Sequence, residues 1–338
     1  MGHTAAGLAR RVRHEVRFGS LSTPCRPHRI RYNRSDMGAA LSGSLDTAGP
    51  VAIGGVGGSG TRVFAAMVSS LGYQSGADLN GPEDDLTFSV LFKRPSLYRD
   101  ARGLIPVDHP SAVAATKAFV SLRSGHRGLN PEILPIFPAC AAFPFSGVYP
   151  SPPKRLLWSL HRLQKAFTHT EPPEPNLWTW KEPNTLLFIP TLFQQIPGLR
   201  YIHVVRNGLS MAKSRNNFQL RNWGFLFDTR LDEVRPELQQ LVYWARVNLA
   251  VSDFLATQDR SLVLTHERIV MEPMSVLEEI SAFLGRPCTD ASRKIAEQVR
   301  RPDDFERKFE LGVGDLTDTE RDDLEKALDR FGYRSNAD

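Results

Sequence analysis

Apolar positions first fall into a pattern near residue 50. Pro50-Val-Ala-Ile53 is a short, wholly apolar run that predicts a buried strand, and the apolar spacing over 61–71 predicts a helix stopped by Gly72. Residues 78–85 are a polar turn, followed by a helix predicted over 86–92. From about 95 to 155 the periodicity weakens, and Pro131, Pro135, Pro138, Pro144, Pro150, Pro152 and Pro153 break any long element there. Such a stretch inside a folded enzyme is characteristic of a substrate-covering insertion. A helix over 154–168 and a proline-rich turn over 171–175 come next.

Beyond that turn the alternation becomes regular. Strands are predicted over 177–180, 199–205 and 261–265. Helices are predicted over 184–195 (capped by Asn184), 209–217, 237–257 and 274–284, the last stopped by Gly285. Strands alternating with helices imply an α/β fold, a parallel sheet with helices on both faces. No internal repeat is visible.

Composition narrows the class of protein. A hydrophobic fraction of 41% and a charged fraction of 23% over 338 residues are those of a globular chain with a sizeable core. No apolar run approaches the roughly 20 residues of a membrane-spanning helix, so no transmembrane segment is expected. The net charge of +5 sits in the N-terminal tail, where eight arginines face only Glu15 and Asp36 over residues 1–36, leaving the remainder at −1. Residues 1–48 therefore read as an Arg-rich, disordered tail ahead of an α/β domain over 49–335. The tail suits either a transit peptide or translation from Met37. The basicity gives no case for nucleic acid as a partner. Three widely spaced cysteines, Cys25, Cys140 and Cys288, form neither a disulfide framework nor a zinc pattern. Reduced thiols in a cytoplasmic protein, with no metal, are the expectation.

The densest chemistry lies in Ile53-Gly-Gly-Val-Gly-Gly-Ser-Gly-Thr-Arg62, which leaves a strand and opens a helix. Glycines permit positive φ and a close approach of backbone to ligand, and the free N–H groups of a helix start attract phosphate oxygens. A dinucleotide fold fits Gly55-x-Gly57-x-x-Gly60, but residues 73–80 lack the second strand and its terminal acid. A triphosphate-binding loop fits the Gly55 to Gly60 spacing, but Thr61 and Arg62 stand where its lysine and magnesium-binding hydroxyl belong.

A second segment, Tyr201-Ile-His-Val-Val-Arg206 with Ser214 eight residues on, offers a strand-end cation and a hydroxyl for one phosphate. Together with the Ser59-Gly-Thr61 turn, it resembles the sulfotransferase family that uses 3′-phosphoadenosine 5′-phosphosulfate (PAPS). Trp180-Lys181-Glu-Pro183, Tyr243-Trp-Ala-Arg-Val-Asn248, Leu264-Thr-His-Glu267 and Phe283-Leu-Gly285 extend the similarity over about 50–285. The resemblance implies a three-layer α/β/α, P-loop-kinase-like fold and transfer of a sulfuryl group from PAPS to a hydroxyl or amine. Gly57, Gly58, Ser59, Gly60, Thr61 and Arg62 would grip the 5′-phosphosulfate, and Arg206 and Ser214 the 3′-phosphate.

Most of the family carries Lys or Arg where this chain has Gly58, so Arg62 or Lys181 would have to supply that charge. The resemblance also points to a carboxylate base just beyond the first helix. Asp84 is the first choice, then Glu83, with Asp78 and Asp85 beside them and His109 and His126 as outsiders. His203, inside an apolar strand, reads as core, as do Trp178 and Trp180. Trp158 reads as core or pocket lining, and Arg307 and Lys308 as a solvated helix face. The acceptor (carbohydrate, lipid, peptide or small phenol) and the oligomeric state are not legible. A degenerate nucleotide-binding relative and a nucleotide kinase stay open as alternatives.

Overall fold

The computed structural model describes residues 49–124, 152–168, 176–214, 216–231, 234–301 and 314–333. The N-terminal tail, prolines 131–150, the turn at 171–175, His126, and Arg307 with Lys308 lie outside the described residues.

Strand β1 (Val51–Gly55) is buried at every position and leads into helix α1 (Thr61–Ser70). Helices α2 (Leu86–Phe92), α3 (Pro110–Arg123) and α4 (Pro152–Phe167) precede the edge strand β2 (Thr179–Lys181). There follow α5 (Ile189–Gln195), β3 (Arg200–Val205), α6 (Gly208–Ala212), α7 (Phe218–Trp223) and the long α8 (Pro236–Leu255). The rest comprises β4 (Ser261–Thr265), α9 (His266–Met271), α10 (Pro273–Leu284), α11 (Asp290–Glu297) and α12 (Asp318–Arg330). The four strands are parallel in the order β2-β1-β3-β4.

Alternation along the strands divides the core in two. Val51, Ile53, Ile202 and Val204 face α1, α10 and α11 through Phe64, Met67, Val68, Leu277 and Ala296. Ala52, Tyr201 and Val205 face the opposite layer, built around Phe88, Phe119, Trp180, Phe188 and Trp244. This is the three-layer α/β/α arrangement expected, and parallel strands covered on both faces account for their unbroken apolar sequence.

Three local expectations need correction. The helix predicted over 184–195 is two elements, a 3₁₀ turn (Pro183–Leu187) followed by α5. Pro190 cannot donate into a continuous helix, so the chain restarts there. Glu182, not Asn184, is the cap, accepting from the Asn184 N–H at 2.6 Å. The helix predicted over 209–217 stops at Ala212, and a new one starts at Phe218. The weakly periodic stretch after residue 95 holds α3, which buries Ala112, Ala115, Ala118, Phe119 and Leu122 and carries Pro110 at its first turn. Its alanines blur the apolar stripe in the sequence.

Candidate active site

The glycine-rich turn joins β1 to α1. Gly58 and Gly60 hold φ at 100° and 86°, the left-handed region that other residues avoid. Space is equally limiting at Gly60, where a Cβ would lie 2.3 Å from His266 Nδ1, and at Gly55, where it would lie 2.4 Å from the Val204 carbonyl oxygen. No side chain caps α1, so neither Ser59 nor Thr61 takes that role. The first N–H groups of a helix have no carbonyl within it to meet. The Ser59 hydroxyl is buried with no partner. Two of the turn's N–H groups are already used, Gly57 donating to Gln219 Oε1 at 2.8 Å and Ser59 to the Val56 carbonyl at 3.0 Å. An oxyanion here would meet a helix N-terminus, an orphaned hydroxyl and a backbone opened by glycine, which fits a phosphate or sulfate group.

Arg206, at the end of β3, reaches this turn and donates from its guanidinium to the Gly58 carbonyl at 3.2 Å. Its own carbonyl accepts from Trp244 Nε1 at 2.9 Å. The neighbouring Asn207 caps α6 and donates its N–H to Glu267, whose other oxygen accepts from the Tyr333 hydroxyl at 2.6 Å. Burial pushes the Glu267 carboxyl above the usual carboxylate range. Ser214 lies past the end of α6 on the surface, its hydroxyl accepting from the Asn216 N–H. Arg62 is exposed on the first turn of α1.

The acidic turn holds a second group of charges. Lys181 donates to Asp84 Oδ1 at 2.7 Å and to the Pro82 carbonyl, and the second Asp84 oxygen accepts from Asn80 Nδ2 at 2.9 Å. The two residues expected to act as base and cation are thus bonded to each other. Glu83 is exposed in a left-handed conformation. Asp78 pairs with Arg162 at 2.7 Å, and Asp85 caps α2 at Phe88 N. Below them Glu182 is buried against Lys93 at 3.1 Å, and burial raises its carboxyl despite that cation.

A cavity of about 620 Å³ connects the two regions, with Gly57 at one side and Asp84 at another. Trp158, Lys93, Asn184 and Gln219 also line it. Trp178 and Trp180 are core residues as expected, and so is His203. Its Nε2 lies 2.9 Å from Asn248 Oδ1, and burial holds it down to about 4. His109 starts α3 beside Asp100. Sequence reasoning missed His266, Gln219, Asn184 and Lys93 as site residues. His266 packs under Gly60, and burial together with the nearby Arg206 lowers it to about 4.

Residues 137–290 match the model of the Sulfotransferase family. Three solved structures are similar in outline. The sulfotransferase domain from the curacin biosynthetic pathway has 15% identity and TM-score 0.42, covering 85% of this chain and 98% of that one. Sulfotransferase STF9 from Mycobacterium avium has 15% identity and TM-score 0.41, covering 88% and 80%. Mouse sulfotransferase SULT7A1 complexed with PAP has 12% identity and TM-score 0.37, covering 86% and 86%. No curated protein matches the chain.

Proposed function

From the match of residues 137–290 to the model of the sulfotransferase family, we propose that this chain is a sulfotransferase that uses PAPS as donor and that Asp84 is the base for a hydroxyl acceptor. The observation that carries this reading is the contact of Arg206 with the Gly58 carbonyl, which brings the strand-end cation to the glycine turn. Both regions were expected to bind one nucleotide.

In this reading the N–H groups of Gly58, Gly60, Thr61 and Arg62, with the Ser59 hydroxyl, hold the 5′ end of the donor. Arg206 and Ser214 hold its 3′-phosphate. PAPS supplies the sulfuryl group: the acceptor oxygen forms the new S–O bond while the bond to the bridging phosphate oxygen breaks, its electron pair leaving with adenosine 3′,5′-bisphosphate. The acceptor hydroxyl proton goes to Asp84. Each Asp84 oxygen already accepts one hydrogen bond and keeps a lone pair for that proton. Lys181 and Asn80 fix the carboxylate so that it faces the cavity at no further conformational cost. Charge for the leaving group comes from Arg206, Arg62 and the helix N-terminus, acting as preorganised electrostatics.

Among the described residues no helix is long and apolar enough to cross a membrane. Calorimetric titration with adenosine 3′,5′-bisphosphate and ATP tests the donor assignment. The bisphosphate is expected to bind more tightly than ATP. Arg206→Ala is expected to raise its dissociation constant at least tenfold, the loss of a charge-assisted contact of about 1.5–3 kcal/mol. Tighter binding of ATP refutes the assignment. For the base, Asp84→Asn should abolish most turnover while leaving bisphosphate affinity in place, and an unchanged rate eliminates Asp84.

A further inference from the structure

One peptide unit of the glycine turn is held at both ends. Its Val56 carbonyl accepts from the Ser59 N–H at 3.0 Å, within the turn. Its Gly57 N–H donates to Gln219 Oε1 at 2.8 Å, joining residues 162 positions apart. A backbone N–H can only donate, so the side-chain oxygen of Gln219 is the end that faces Gly57.

The two partners differ in firmness. Gln219 is the second residue of α7, whose Leu220 and Trp223 are each 1% exposed. The Trp223 ring lies 5.8 Å from those of Tyr98 and Phe188, centroid to centroid. Just ahead of α7, the Asn216 carbonyl accepts from Gln240 Nε2 on α8 at 3.3 Å. The turn itself holds five glycines between Gly54 and Gly60, and glycine has the most backbone freedom to lose. A second tether, from Arg206 to the Gly58 carbonyl, is exposed to solvent. In the donor reading that guanidinium is engaged by the 3′-phosphate.

We propose that Gln219 is a positioning residue for the donor: it holds the Gly57 end of the turn so that the N–H groups of Gly58, Gly60 and Thr61 are preset for the 5′-phosphate. The inference rests on the PAPS-donor reading and adds to it a residue that acts through the turn. A turn fixed beforehand loses less conformational freedom when an anion docks, and the difference appears as affinity. Preset donors are also what a developing charge on the leaving phosphate requires. The 3′-phosphate is assigned to Arg206 and Ser214 instead. Only ligands that carry a 5′-phosphate should therefore register the loss of Gln219.

The test is calorimetric titration of the full chain with adenosine 3′,5′-bisphosphate, adenosine 5′-monophosphate and adenosine 3′-monophosphate. Gln219→Met removes the accepting oxygen. It is expected to raise the dissociation constants of the two 5′-phosphorylated ligands about fivefold, the contribution of one neutral hydrogen bond, and to leave that of the 3′-monophosphate unchanged. Gln219→Asn, one methylene shorter, supplies the same comparison if Gln219→Met does not fold. Adding Gly57→Ala should recover part of the loss, because alanine restricts the freed turn. Its Cβ would lie 3.4 Å from Asn216, an ordinary contact. Equal weakening of all three ligands, no weakening, or no recovery with Gly57→Ala overturns the proposal. A wild-type chain that binds the bisphosphate no more tightly than either monophosphate fails the donor assignment, and this inference with it. A wild-type chain that does prefer the bisphosphate keeps the donor assignment whatever Gln219 does, so the two failures are distinct.

Discussion

Gly60→Ala should be more destabilising than its position in a surface turn suggests. Two effects add. A non-glycine residue at φ 86° incurs about 1–2 kcal/mol of backbone strain. The new methyl would also lie 2.3 Å from His266 Nδ1, too close for any real contact, so the ring must move within a partly buried site. Overpacking of that kind costs about 1–3 kcal/mol, for a combined loss of roughly 2–5 kcal/mol. Gly103 separates the two effects. Its φ is 68°, and a Cβ there meets nothing within 4 Å, so Gly103→Ala carries the strain alone. Urea unfolding at pH 7, followed by tryptophan fluorescence, should place Gly60→Ala at least about 1 kcal/mol below Gly103→Ala. In the Gly60→Ala background, His266→Ala should recover stability, although it is destabilising alone. Equal losses for the two glycine variants, or strictly additive losses in the double variant, would refute steric coupling between the turn and His266.

Two further outcomes follow from buried charge. His203 has its pKa held at about 4 by burial, against 6.5 in the free side chain. Above pH 6.5 it is neutral in both states and its environment is stabilising. As the pH falls toward 4, the unfolded chain takes up a proton that the folded chain refuses, so about 3 kcal/mol is lost across that window. His266 pulls the same way. Relative to wild type, His203→Gln should flatten the pH slope of unfolding free energy between 6.5 and 4, and parallel slopes would contradict the assignment. Lys93→Met strips the buried Glu182 of its cation and should destabilise by about 3–5 kcal/mol at pH 8. The loss should shrink at pH 5, where the carboxyl can protonate, and adding Glu182→Gln should restore most of it. A pH-independent loss would mean that packing, not charge, is responsible.

What could be read from the sequence was what lies close together along it. The five glycines from Gly54 to Gly60 announce their turn, in which Gly58 and Gly60 hold the left-handed φ that other residues avoid, and the apolar runs at β1, β3 and β4 announce a buried parallel sheet. Helix α3 escaped because Ala112, Ala115 and Ala118 carry too little hydrophobic contrast to mark a face. The cavity escaped for a different reason. Gln219 meets Gly57 across 162 positions, and Lys181 meets Asp84 across 97. No spacing rule connects residues that only the order β2-β1-β3 brings together. The pairing of Lys181 with Asp84 also shows a limit of assigning roles singly, since each was expected for its own chemistry and the structure makes them one unit.

The bond from the Asn207 N–H to Glu267 carries a dynamic signature. Glu267 is held on its other side by Tyr333, at the foot of α12. Helix α12 is itself tied down by Arg246 to Asp323 and by Arg330 to Asp253. Deuterium uptake at that single amide, one residue past Arg206, is expected to respond to loosening of α12 through Tyr333 and Glu267. Exchange at Asn207 should therefore rise in Tyr333→Phe, which removes the hydroxyl that holds Glu267 from more than a hundred residues downstream.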